Sequence, residues 1–203
     1  MRIIAAILAG GEASRLGRIA KGLLADAAGV SLIERLIGEA ASAGIHEVVL
    51  SVNDPQPYLR FGKRLIADLH PGTGPLGGIE AVLEGLSGNC DSVLFLPCDL
   101  PNISARELTA LLEAHRRIPD LIAMIGTKDN EHPLCAVVPV ALRGVVSAAV
   151  RSGEYGVVRL WQRSNAIIVA VDDPSRLVNL NTPDDLCQWR EGSERTQSGD
   201  HVV

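Results

Sequence analysis

Short runs of almost wholly apolar residues alternate along this chain with longer stretches whose apolar positions recur every third or fourth residue. The short runs predict strands at 2–8, 47–52, 64–67, 92–96, 121–125, 135–139 and 166–171. Being apolar at nearly every position, they read as strands covered on both faces, so helices must lie on either side of a mostly parallel sheet. The stretch "SLIERLIGEAASAG" predicts the first helix: Ser31 is an N-cap with Glu34 three residues on, and Gly44 ends it. Further helices are predicted at 76–86, 104–115, 141–151 and 182–190, the last with Thr182 as N-cap and Pro183 in its first turn. The fold class is therefore α/β, a three-layer α/β/α sandwich. No internal repeat or linker divides it, so residues 1–190 form one domain. The final "EGSERTQSGDHVV", 191–203, is polar and aperiodic and is expected to be a disordered tail without catalytic duty.

Composition narrows this picture. The 203 residues are 47% hydrophobic but only 3% aromatic, which calls for a core of Ala, Val, Leu and Ile. A formal net charge of −5 argues against broad binding to nucleic acid or to an anionic membrane, since both need a basic surface. Any anion must be gripped locally. Cys90, Cys98, Cys135 and Cys187 stand far apart with no CxxC pair, which indicates reduced, buried thiols rather than a zinc or redox site. The start "MRIIAAILAGG" is short for a secretory h-region and lacks a clear cleavage site, so it reads as a strand. No apolar run approaches the ~20 residues that span a bilayer. A soluble cytoplasmic protein is expected.

Open parallel sheets bind ligands beyond the carboxyl ends of their strands. The first such place is "LAGGEASRLGRIAKGLL", residues 8–24, where Gly10, Gly11 and Gly17 let the backbone turn and approach a ligand while Arg15 and Lys21 supply positive charge for a phosphate. It is neither a Walker A nor a dinucleotide motif, and a solvated loop is the plainer alternative. In "LPCDLPNIS", Asp99 follows a strand between two prolines, either as a ligand for a hard cation shared with phosphates or as a turn or helix cap. In "DLHPGTGPLGGI", Asp68 precedes Gly72, Gly74, Gly77 and Gly78, where a base or ribose can come close to the backbone, although Gly-Pro pairs also mark ordinary turns. Asn53 offers an amide to a base edge or a turn.

Taken in order, "LAGGEASRLGRIAKGLL", "SVND", "GPLGGI", "LPCDLP", "EHPLCAVV" and "LVNLNTPDDL" resemble the MobA family of molybdenum cofactor guanylyltransferases, over residues 2–190. The first loop and the Asp after the fourth strand are shared with the wider group of GT-A-like nucleotidyltransferases, and the other segments narrow the resemblance. It implies a Rossmann-like GT-A nucleotidyltransferase fold. It assigns the opening loop to the triphosphate with Arg15 and Lys21 as cations, and Asp99 to Mg²⁺. Asn53 and Asp68, with backbone around Leu8, Ala9 and Gly78, would make the guanine and ribose pocket, and Gly10 and Gly11 would also bind the nucleotide. Asn179 and Asn181 match positions on the pterin side, near Lys21 and the metal, although the residues themselves are read more simply as capping a strand and entering the last helix.

The implied reaction joins GMP from GTP to the terminal phosphate of molybdenum cofactor and releases pyrophosphate. The attacking phosphate oxygen is already ionised, so alignment and charge neutralisation by Mg²⁺, Lys21 and Arg15 suffice and no protein nucleophile is needed. A receiving molybdoenzyme or insertion chaperone is an expected transient partner. His132 in "EHPLCAVV" is expected to be a hydrogen-bonded structural histidine, because this chemistry needs no general base. Two positions depart from the family pattern: Ala20 stands where many relatives carry Asp before the lysine, and Leu16 where Met is common. A cytidylyltransferase or sugar-phosphate nucleotidyltransferase would share the loop and Asp99. A nucleotide-binding partner that had lost catalysis would explain Ala20 but not the retained Lys21 and Asp99.

Overall fold

The first strand shows why its sequence is apolar throughout. In β1 (Ile3–Leu8), Ile3, Ala5 and Ile7 join one buried cluster, while Ile4 and Ala6 join another on the opposite face. The structure is a computed structural model that describes residues 1–10, 12–13, 19–128 and 130–198, without the side chains of 12, 13, 19 and 193–198. The other strands are β2 (Val48–Ser51), β3 (Arg64–Ile66), β4 (Ser92–Pro97), β5 (Ala123–Gly126), β6 (Glu131–Pro139) and β7 (Ile167–Ala170). Among the described residues these seven form one sheet in the order β3-β2-β1-β4-β6-β5-β7. Every pairing is parallel except those of β6, which runs antiparallel to both β4 and β5. The expected mostly parallel α/β/α sandwich is the architecture found.

Helices α1 (Leu32–Ser42) and α3 (Ala105–Arg117) cover the first face with Ile33, Leu36, Leu108, Leu111 and Leu112. On the other face lie α2 (Pro75–Gly85), α4 (Arg143–Arg151) and α5 (Val157–Arg163), contributing Leu76, Ile79, Val146, Leu160 and Trp161. The capping box expected at Ser31 is present: the Ser31 amide donates to Glu34 Oε2 at 2.8 Å and the Glu34 amide donates to Ser31 Oγ at 3.3 Å. Helix α6 (Pro183–Ser198) docks through Trp189 onto Leu24, Leu32 and Leu180. No helix among the described residues is long and apolar enough to cross a membrane.

Four features differ from the sequence-based expectation. Strand β6 begins at Glu131 rather than at 135, because a register shift between Met124 and Ile125 lets pairing continue past Pro133. Helix α5 was not expected, since Gly156 and two adjacent valines obscure it; burial of Leu160 and Trp161 outweighs that weak propensity. A two-stranded ribbon pairs Glu12–Ala13 with Ile19–Ala20 inside the opening loop. Helix α6 continues past Arg190 to Ser198, into the segment expected to be a disordered tail. Extending an already docked helix requires no second nucleation, and Glu, Arg and Gln favour it.

Candidate active site

Strands β1 to β4 are parallel and end level with one another: Leu8 pairs with both Ser51 and Pro97, and Ser51 with Ile66. The residues that follow each strand therefore meet at one edge of the sheet. A cavity of about 400 Å³ opens there, and of the residues singled out above it is lined by Leu8, Gly10, Lys21, Asn53, Asp68, Gly72, Gly74, Gly78 and Asp99. Ala9 is buried instead, its carbonyl accepting from Tyr58 Oη at 3.1 Å. Gly11, Arg15, Leu16 and Gly17 lie outside the described residues. The lining also includes Ser51 and Leu134, to which the sequence pointed no role, and Cys98, expected only as a buried thiol. Leu134 arrives on the antiparallel strand, a topological fact that no local pattern announces.

At one end of the cavity Lys21 Nζ lies 3.4 Å from Asp99 Oδ2 and donates to Asn181 Oδ1 at 2.7 Å. The segment carrying Asn181 is tied down twice. The Leu180 amide donates to the Asp99 carbonyl at 2.8 Å, and Asp185 Oδ2 accepts from the amides of Asn181 and Thr182 at 2.8 and 2.7 Å. Those bonds hold the Asp185 carboxyl below its ordinary range. The simpler reading of the two asparagines as caps is corrected here for Asn181. Thr182 and Asp185 cap α6, with Thr182 Oγ1 accepting from the Asp185 amide at 3.1 Å, and the Asn181 side chain is left to meet Lys21.

At the other end, Asn53 and Asp68 clasp each other. Asn53 Nδ2 donates to Asp68 Oδ2 at 2.9 Å, and the Asp68 amide donates to Asn53 Oδ1 at 3.0 Å. Asn53 thus spends much of its amide on orienting Asp68, whose other oxygen lies beside Gly78. A Cβ on Gly78 would fall 3.4 Å from Asp68 Oδ1 and 2.8 Å from Ser51 Oγ, so the glycine keeps this end open. Gly74, the N-cap of α2, has φ 66° and ψ −157°, a conformation that favours glycine and turns the loop into the helix.

A second cavity of about 410 Å³ shares Pro97, Asp99 and Leu134 with the first and adds Glu131, His132 and Asn179. Asp99 therefore stands between two chambers. The expectation of a hydrogen-bonded structural histidine fails for His132: neither ring nitrogen has a hydrogen-bond partner among the described residues. Burial lowers the pKa of this imidazole, against a raising influence from the Asp99 charge. Burial also pushes the Cys98 thiol up to about 12, so it stays protonated and is unsuited to act as a nucleophile. Cys135 is buried too, but Cys90 is half-buried and Cys187 exposed, so the expectation of buried thiols holds for two of the four.

The site suits a polyanion bound at Lys21 with its organic part near Asp68. Among the described residues no three His, Cys, Asp or Glu side chains cluster to hold a metal. A single carboxylate, Asp99, fits the protein's share of a hard-cation site whose remaining ligands are phosphate oxygens and water.

A family model described as MobA-like NTP transferase domain matches residues 5–170. The chain is 34% identical over 181 residues to the molybdenum cofactor guanylyltransferase of Pseudomonas fluorescens (strain SBW25), covering 87% of this chain and 88% of that one. It is 33% identical over 187 residues to the enzyme of the same name from Haemophilus influenzae (strain ATCC 51907 / DSM 11121 / KW20 / Rd), with 91% and 95% covered. Among solved structures it resembles molybdopterin-guanine dinucleotide biosynthesis protein A from Archaeoglobus fulgidus, with a TM-score of 0.78, 22% identity and 94% and 98% covered. It also resembles a CMP:2-keto-3-deoxy-manno-octonic acid synthetase complexed with CTP, with a TM-score of 0.70, 17% identity and 97% and 100% covered. These two structural likenesses speak for the fold.

Proposed function

The chain belongs to the MobA-like NTP transferase family, and from that premise we propose that it transfers GMP from GTP to molybdenum cofactor, releasing pyrophosphate. The observation that carries the reading is the contact of Lys21 with both Asp99 and Asn181, at the meeting point of two chambers. One chamber takes the nucleotide, with base and ribose near Asp68 and Gly78. The other takes the acceptor, with Asn179 on its wall, while Asn181 holds Lys21.

The transfer needs an acceptor phosphate oxygen in line with the α-phosphorus and relief of the charge that builds there. Lys21 supplies a fixed positive charge, and its two partners hold the ammonium in place before substrate arrives. Asp99 would hold a divalent metal, read as Mg²⁺, which when bound neutralises phosphate charge and fixes phosphate geometry. Arg15 is assigned to the triphosphate by its place in the opening loop. Asp68, oriented by Asn53, presents a carboxylate oxygen to a ribose hydroxyl or a base N–H. The reading places the reaction in the cytoplasm, where GTP is supplied, and expects a molybdoenzyme or insertion chaperone to take the product.

The test is turnover of GTP with molybdenum cofactor and Mg²⁺, followed by pyrophosphate release and by isolation of the guanine dinucleotide. Formation of that product supports the reading. Transfer from CTP but not from GTP would replace it with the cytidylyltransferase alternative.

A further inference from the structure

Resting on the function proposed above, we infer that His132 is an acceptor-binding residue, donating an imidazole N–H to the terminal phosphate of the acceptor in the chamber across Asp99 from the nucleotide. The chain contains its own standard for a structural histidine. His115 is fully buried, with Nε2 2.9 Å from Ser92 Oγ and Nδ1 3.1 Å from the Leu121 carbonyl, so both ring nitrogens are bonded. His132 is half-buried, yet neither of its nitrogens finds a partner among the described residues. Its ring nitrogens are not among the buried unpaired polar atoms of the described residues, so they are open to whatever enters the chamber.

The surroundings of His132 are built, not loose. It sits on β6 opposite Ile125, and the next carbonyl, that of Pro133, accepts from Trp161 Nε1 at 2.8 Å. Helix α5 thus fixes the backbone at this point and leaves the imidazole unengaged, on the wall of a chamber that also holds Asp99 and Asn179. An acceptor held in that chamber would lie between His132 and Asp99, which line the same wall. A neutral imidazole has one N–H donor and one acceptor nitrogen. A phosphate dianion offers acceptors alone, so the histidine donates.

Steady-state kinetics with GTP and molybdenum cofactor varied separately test this. His132→Ala should raise KM for the cofactor about tenfold or more, the loss expected for one hydrogen bond to a charged group, and leave KM for GTP within about twofold. His132→Gln, which restores an N–H donor, should recover most of the loss. His132→Leu keeps the volume and removes the donor, so it carries the test if the alanine variant fails to fold. An unchanged cofactor KM in His132→Ala or His132→Leu, or an equal rise in both KM values, overturns the inference while the proposed function stands. Absence of turnover in the unmutated protein overturns both.

Discussion

Lys21 and Asp99, 78 positions apart in sequence, meet at 3.4 Å with both side chains largely shielded from solvent. Neither needs the other for the fold, since each belongs to an element held by apolar contacts on its far side. On the proposed reading, the pair is arranged around a ligand. Asp99→Asn keeps the shape but exchanges a carboxylate for one neutral oxygen and an amide, a poor ligand for a hard cation. The expected outcome is loss of turnover by a factor on the order of 10² or more with Tm unchanged within a few degrees. Rates measured across an Mg²⁺ titration check it, and full activity at ordinary Mg²⁺ would remove Asp99 from the metal.

Lys21→Ala and Asn181→Ala separate the charge from its support. Without the ammonium, GMP transfer should slow by a factor on the order of 10² or more. Without Asn181 the ammonium keeps Asp99 but loses its shorter contact, at 2.7 Å, and about a tenfold loss is expected. The two losses should combine to less than their product, because both act through one group. Rates of the two single variants and the double variant decide this.

The first strand, the loop after it and the aspartate after β4 were legible in the sequence because each is a local signal: an apolar run, a glycine cluster, a carboxylate boxed by prolines. Burial on both faces also made the parallel sheet legible. Asn181 was legible only through the resemblance, because on the residues alone a strand end and a helix start explain an Asn-Leu-Asn segment equally well. Leu134, and the chamber that His132 lines, were hidden for a related reason. Strand β6 reverses direction and delivers its beginning, not its end, to the site edge. Helix α5 was lost to its β-branched start, and burial of Leu160 and Trp161, with the bond of Trp161 to the Pro133 carbonyl, explains its presence.

Asp185 gives the site an acid-sensitive anchor. Its carboxyl is held below the ordinary range by the amides of Asn181 and Thr182, so its contribution is present above the unfolded pKa and is lost as pH falls through the depressed folded value. Protonation should loosen the segment bearing Asn181 before the sheet unfolds. Amide exchange at 180–182 followed from neutral pH into the acid range should rise ahead of exchange in β1 and β4, and Asp185→Ala should show the raised exchange already at neutral pH.

Ala20 is the N-cap of the short turn Lys21–Leu23, in an extended conformation and without a side-chain cap bond. Asp at this position can accept from the turn's free amides and lower the energy of the conformation that presents Lys21. Ala20→Asp should therefore preserve or raise the rate, and Tm should not fall. A loss of tenfold or more would show that the loop is built around alanine.

On the proposed reading, the choice of nucleotide rests on the Asn53–Asp68 clasp and on the space above Gly78. Asp68 Oδ2 is taken by Asn53, which leaves Oδ1 as an acceptor beside the glycine. Guanine presents an N1–H and an amino group as donors beside O6, whereas cytosine and adenine offer different edges. A buried acceptor left unpaired costs roughly 1–3 kcal/mol, so a wrong base is rejected at each mismatched contact. GTP should be preferred over CTP and ATP by at least about tenfold in kcat/KM. Gly78→Val fills the space and presses on Ser51 and Asp68, so it should raise KM for GTP about tenfold or more while leaving KM for molybdenum cofactor nearly unchanged. Competitive rates with the three nucleotides at equal Mg²⁺, in the unmutated protein and in Asp68→Asn, decide the matter: the variant should narrow the preference, and an unaltered preference would move base recognition away from Asp68.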